Sequence, residues 1–276
     1  MAETVAGPQT DLAHATGAPS FVYALGKVEP RFPSLAVEKE FAQAGGRLTG
    51  SGLTDRQLLR TLVTDRQNRY LARSLCWVFS VEGVECYILR PRDPSDFELL
   101  AEAVRDEPRR DDLDVVIGTL GPIAPPEACN GLALPTVAFD QIYSFDRDAL
   151  VDAIPRPESV TGADADQFRQ VAGGLLDRIM QMADNAGATD AHRALNYLAV
   201  RYPAIYGAAA EANARDLSLT GVQVLPSVLS GARKIVEVVF TYTHRQTDVS
   251  EKKFVRVDVT EQFLFLAGKL ADYFDR

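Results

Sequence analysis

Cys129 lies in GPIAPPEACNGLALP (121–135), a stretch with four prolines between two apolar runs. Each proline fixes φ, so the segment is stiff, and stiffness suits the positioning of a reactive group. A thiol there could be a nucleophile if the fold brought a base such as His192 or His244 to it. It could instead be a metal ligand, or a small buried side chain. Cys76 and Cys86 fall in apolar runs and are expected to behave as small hydrophobes. They are ten residues apart, not at the close spacing of a structural zinc site, and a hairpin turning at Gly83 does not set them directly opposite each other. A zinc site assembled from scattered Cys and His stays open as an alternative. No other cofactor is expected. His14 falls in a region read as disordered, and His192 in the first turn of a helix, where solvated or capping roles are usual.

The second group is FDQIYSFDRD (139–148), in which Asp140, Asp146 and Asp148 surround a strand end beside Gln141, Tyr143 and Arg147. Paired carboxylates can serve acid–base chemistry. The plainer reading has Asp146 or Asp148 capping the helix DALVDAI. Cys129, Asp140 and Asp146 are therefore the candidate catalytic residues, with no role fixed for any of them. A third pattern is DRQNRYLARSL (65–75), which carries Arg66, Arg69 and Arg73 at helical spacing. Such a stripe can clamp a carboxylate or an acidic peptide, or can be a solvated face. The G-x-S-x-G elbow of serine hydrolases is absent, and GSG (50–52) reads as a loop before Thr54.

The elements that must hold these residues follow from pattern. Residues 1–19 show no period and read as a mobile tail. FVYALGKVEP is a strand, and Ser34 starts a helix that Gly45 and Gly46 end. Thr54 and Gln57 form a capping box ahead of an apolar face of Leu58, Leu59, Leu62 and Val63. LCWVFSVEGVECYILRP is a hairpin turning at Glu82-Gly83. Asp93 and Ser95 cap FELLAEAVRD, and the strands DVVIGTL and TVAFDQIYSF flank the proline-rich loop. Apolar periodicity stops over 156–166, read as a linker between an N-terminal α/β subdomain (20–155) and a C-terminal subdomain (167–276). Phe168 to Ile179 follow helical spacing, and two further helices part at Pro203. GVQVLPSVLS, RKIVEVVFTYTH and KKFVRVDV form a three-stranded antiparallel meander, with Val236, Val238, Phe240 and Tyr242 on one face. Thr260 is expected to cap a final helix, EQFLFLAGKLADYF. The fold class is α+β.

Bulk properties narrow the function. The chain has 276 residues, 46% hydrophobic and 24% charged, as in globular proteins. A formal charge of −9 disfavours nucleic acid as a partner. No apolar run reaches the length of a membrane span, and the N-terminus does not read as a secretory signal. Three cysteines, an odd count, fit a cytoplasmic protein with free thiols.

Five collinear segments carry a resemblance: FVYALGKVEPRFPSLAVEKEFAQA, DRQNRYLARSLCWVFSVEGVECYILRPRD, DVVIGTLGPIAPPEACNGLALPTVAFDQIYSFDRDALVDAIPRP, DRIMQMADNAGATDAHRALNYLAVRYPAIY and KKFVRVDVTEQFLFLAGKL. Together they resemble the C-terminal domain of the cyanobactin maturation protease PatG, with a related domain in PatA, over essentially residues 20–276. In that family cleavage and macrocyclisation belong to an upstream subtilisin-like domain whose serine motif has no counterpart here. Protease activity is therefore not carried over, and the resemblance supplies no catalytic residues. It implies the family's domain of unknown function acting as a separate polypeptide in a pathway that makes modified ribosomal peptides. The expected function is that of an accessory or scaffold protein binding a precursor peptide or a neighbouring tailoring enzyme. The alternatives are a peptide-modifying enzyme using residues 121–148 and a zinc-stabilised interaction domain. Whether it is an enzyme stays open, as does a homodimer through an edge strand.

Overall fold

The computed structural model describes residues 20–46, 53–156, 165–182 and 184–274. The expected tail, His14, the GSG loop and residues 157–164 of the expected linker lie outside them.

The first half builds a closed barrel. Its strands are β1 (Phe21–Arg31), β2 (Cys76–Val81), β3 (Val84–Pro91), β4 (Asp112–Ile123) and β5 (Pro135–Asp146), in the order β1-β2-β3-β5-β4. β1 runs antiparallel to β2 and β4, and β3 runs parallel to β5. That order and those senses are the ones of an OB-type Greek-key barrel. The β2–β3 hairpin turns at Glu82 (φ 48°) and Gly83 (φ 79°). Two successive positive φ values suit the strand twist of a two-residue hairpin. Period-two alternation sends Trp77, Phe79 and Val81 of β2 into the barrel, while Cys76 and Val78 face outward.

The long β1–β2 connection carries α1 (Leu35–Gly46), α2 (Asp55–Thr64) and α3 (Arg69–Ser74). The expected capping box is present: the Gln57 amide donates to the Thr54 hydroxyl at 3.3 Å, and the Thr54 amide donates to Gln57 Oε1 at 3.0 Å. Trp77 Nε1 donates to the Ala72 carbonyl at 2.9 Å, which fastens the end of α3 to the barrel. Between β3 and β4, α4 (Phe97–Ala103) buries Leu100 and Ala101 against the same interior.

β1 and β4 are buried on both faces, which is why FVYALGKV and DVVIG read as nearly unbroken apolar runs. Val22 and Val116 point into the barrel, whereas Tyr23, Leu25, Val115 and Ile117 point into a second core. That second core takes in α6 (Ala165–Met180), α7 (Asp190–Arg201) and α8 (Ala204–Ala214), together with a four-stranded sheet. The short α5 (Arg147–Asp152) leads from β5 towards them. The sheet runs β6 (Leu217–Pro226), β7 (Ile235–His244), β8 (Ser250–Asp258), β9 (Phe265–Asp272), all antiparallel. Val238, Phe240 and Tyr242 face this core, as alternation requires.

The α+β class stands, with one correction to its last element. The segment expected as a final helix is β9, so the meander has four strands. Leu264 is buried, and Leu266 and Leu270 pack on the core while Phe265, Ala267, Lys269 and Ala271 are exposed, a period of two. Helical spacing and strand alternation both fit FLFLAGKL; the unpaired edge of β8 selects the strand, because pairing satisfies its backbone groups. Thr260 caps no helix: its hydroxyl donates to Asp258 Oδ1 at 2.6 Å and accepts from the Lys234 amide at 2.8 Å.

Candidate functional site

The proline-rich loop is a compact lid on the barrel. A turn of 3-10 helix over Pro126–Cys129 ends at Asn130 (φ 48°) and Gly131 (φ 90°), and the Gly131 amide donates to the Pro126 carbonyl at 2.7 Å. Its Ala124 and Cys129 pack with Cys76, Val78 and Ile88, the outward residues of β2 and β3. In OB-type barrels that strand face and the β4–β5 loop commonly hold the ligand. Here the loop itself lies on the face. Cys129 is joined to Cys76 in a disulfide with Cα atoms 5.5 Å apart. This corrects the expectation of three free thiols and of Cys76 as a lone buried hydrophobe, and it leaves Cys129 Sγ without a thiolate. Spacing could not announce the pair, because 53 residues separate its members and the barrel brings them together. Cys86 keeps its thiol, which burial pushes above the usual value.

Asp140 stands in mid-β5, where Arg92 Nε approaches its Oδ1 at 2.8 Å and Gln262 Nε2 donates to its Oδ2 at 2.7 Å. Arg92 Nη2 also donates to Thr119 Oγ1 at 2.6 Å. The carboxylate thus belongs to a polar latch between the barrel and the β8–β9 connection. Arg193 of α7, buried along its side chain, holds that connection from the other side. It donates to the carbonyls of Val259 at 2.9 Å and of Glu261, and its guanidinium lies 5.3 Å from the Phe21 ring centroid. Sequence reading passed over Arg92, Arg193 and Gln262; Arg193 had one available signal, a cation on the helix face that also carries Asn196 and Val200.

Asp146 caps α5, its Oδ1 accepting from the Ala149 amide at 3.0 Å, and Arg109 lies 3.8 Å from its Oδ2. Six residues along one strand separate it from Asp140, roughly 20 Å by strand rise. The structure does not bring Asp140 and Asp146 into one constellation. Near Asp146, Asp114 is buried, accepting from the Val28 amide at 2.7 Å and the Ser144 hydroxyl at 2.5 Å. Burial raises its carboxyl above the usual range. His192 is half-buried, its imidazole pushed down by desolvation, and His244 Nδ1 accepts from the Gln246 amide at 3.2 Å. Among the described residues no group of three or more His, Cys, Asp or Glu is arranged to hold a metal ion.

The arginine stripe lines an open concavity of about 710 Å³. Arg66, Arg69 and Arg73 form one wall, Glu98 and Glu102 of α4 belong to the other, and Val63, Ala72, Phe97 and Ala101 supply apolar surface. Arg69 pairs with Glu98, and the Arg73 guanidinium lies 5.9 Å from the Phe97 centroid. Neither Arg66 nor Arg73 has a carboxylate partner among the described residues.

Residues 162–273 match the PatG C-terminal family. The match takes in α6, α7, α8 and the whole four-stranded sheet. A solved structure called "PatG Domain of Unknown Function" shares the fold at a TM-score of 0.71 and 21% identity, covering 92% of this chain and 98% of its own. The likeness to that PatG domain therefore includes the barrel, which lies outside the family match. No curated protein matches the chain. No helix among the described residues is long and apolar enough to cross a membrane.

Proposed function

We propose that the chain is an accessory protein of cyanobactin-type ribosomal-peptide processing, binding a precursor peptide or a partner tailoring enzyme. The observation that carries this reading is the open groove over α3 and α4, which offers apolar surface together with two guanidinium groups that no carboxylate of the described chain neutralises. Such a surface suits recognition, since a bound chain can bury side chains on the floor and meet the charges at the wall. The three residues with candidate chemistry all have structural engagements: Cys129 closes a disulfide, Asp140 joins a latch and Asp146 caps a helix.

Titration of the purified chain with the precursor peptide and with each enzyme encoded beside it is the test. A complex forming at or below roughly tens of micromolar is expected, with no change in precursor mass when this chain is added alone. A mass change caused by the chain alone, or the lack of any complex in that range, would refute the proposal.

A further inference from the structure

We infer that the groove between the α2–α3 wall and α4 is a binding site for an acidic peptide segment with an apolar anchor. This rests on the peptide-binding reading above and deepens it by naming the ligand's chemistry.

The site is made by two local features of the sequence. Asp65, the residue after α2, accepts from the Gln67 amide at 2.9 Å and starts a 3-10 turn, Arg66–Asn68, that runs into α3. The turn places Arg66 at the head of the wall and Arg73 at its foot. Seven residues of helical rise set them roughly 10–12 Å apart. On the opposite side, Asp93 accepts from the Ser95 amide at 2.8 Å and sets the entry to α4, which presents Phe97 and Ala101 to the groove. Val63, Ala72 and Ala101 are buried side chains that give the groove a fixed apolar floor.

Charge decides the ligand. The chain carries a net −9, yet this wall gathers three arginines. Arg69 is neutralised by Glu98 across the groove, and Glu102 is exposed at its edge. Arg66 and Arg73 remain, both exposed and both without a carboxylate. Arg73 is held beside the Phe97 ring, so its guanidinium is partly pre-oriented, and a planar fork accepts a carboxylate in two parallel hydrogen bonds. Carboxylates four residues apart in an extended segment lie on one face, about 13 Å apart at a rise of about 3.3 Å per residue, which the long arginine side chains span from roughly 10–12 Å. An apolar side chain between them would reach the Val63–Ala101 floor.

Fluorescence anisotropy with a labelled Glu-Ala-Leu-Ala-Glu peptide, blocked at both ends, tests the site, because alternation puts both glutamates and the leucine on one face. Its Gln and Lys counterparts serve as controls. The acidic peptide is expected to bind, to weaken as salt is raised, and to lose at least about tenfold in affinity to an Arg66→Glu/Arg73→Glu variant. Both residues are exposed, so the variant should keep the wild-type thermal midpoint. Equal binding of the Gln peptide, unchanged affinity in the variant, or no binding by wild type up to about 1 mM would overturn the site. The two readings fail separately. If the variant keeps a pathway complex that wild type forms, and the acidic peptide does not bind, the groove assignment falls and the accessory role survives. If the acidic peptide binds but no pathway component does, the accessory role falls and the site stands.

Discussion

Asp114 shows how one side chain couples the barrel to pH. Its carboxyl is enclosed, it accepts from the Val28 amide and the Ser144 hydroxyl, and burial favours its neutral form. Because the folded value is raised, its contribution to stability is full below the ordinary carboxylate value and is lost as pH climbs through the raised one. Asp114→Asn has no charge to bury and keeps an acceptor for Val28. Its stability relative to wild type is expected to rise between acidic and neutral pH, read as urea midpoints across that range. Asp114→Ala should instead cost about 1–3 kcal/mol, because the Val28 amide loses its acceptor. A midpoint difference between the Asn variant and wild type that does not vary with pH would count against a raised Asp114. The candidate residues teach a related lesson. Asp146 was legible as a helix cap because the cap is local, whereas the Arg92 and Gln262 partners of Asp140 come from 48 residues before and 122 residues after it.

At the scale of elements, the proline-rich loop is held by its disulfide and by a small apolar cluster of its own. Its backbone hydrogen bonds close mostly within the loop, such as Leu132 N to Cys129 O at 3.0 Å. Removing the disulfide, by reduction or by Cys76→Ala/Cys129→Ala, should therefore free the loop before it disturbs the barrel. The expected cost is about 2–4 kcal/mol, read in denaturant midpoints. Limited proteolysis should cut within 124–134 only when the bond is absent. A loop that stays resistant after reduction would mean that the contacts with Val78 and Ile88 suffice alone. The contrast with α2 is instructive: Thr54 and Gln57 predicted its start, since every partner lies within three residues.

For the molecule as a whole, β1 and β4 are the shared wall. Tyr23, Leu25, Val115 and Ile117 lie in the same core as Leu176, Leu195, Val238 and Val255. A buried polar seam adds to it: Asn196 Nδ2 donates to the Tyr23 carbonyl at 2.9 Å and Asn185 Nδ2 to Asn196 Oδ1 at 2.8 Å. Subdomains with bounds near 20–155 and 167–276 would then unfold together, since separating them exposes both faces of β1. Trp77 is inside the barrel, so its fluorescence reports that half, while far-UV circular dichroism reports both halves. The two signals should share one thermal midpoint; two distinct midpoints would show independent subdomains.

The sequence by itself determined what depends on near neighbours. It specified the hairpin at Glu82-Gly83, the capping box of Thr54 and Gln57, the amphipathic α6, the alternation along β7 and hence the α+β class. Each of these rests on φ preferences, hydrogen bonds or periodicities that close within a few residues. Tertiary structure alone decided the barrel order, the Cys76–Cys129 pair, the Asp140 latch, the groove between Arg66, Arg73 and Phe97, and the choice of strand for 265–272. Those outcomes depend on which surfaces meet after the chain has folded back from many residues away. The last of them is the sharpest case: FLFLAGKL satisfies two periods, and only the open edge of β8 picks one.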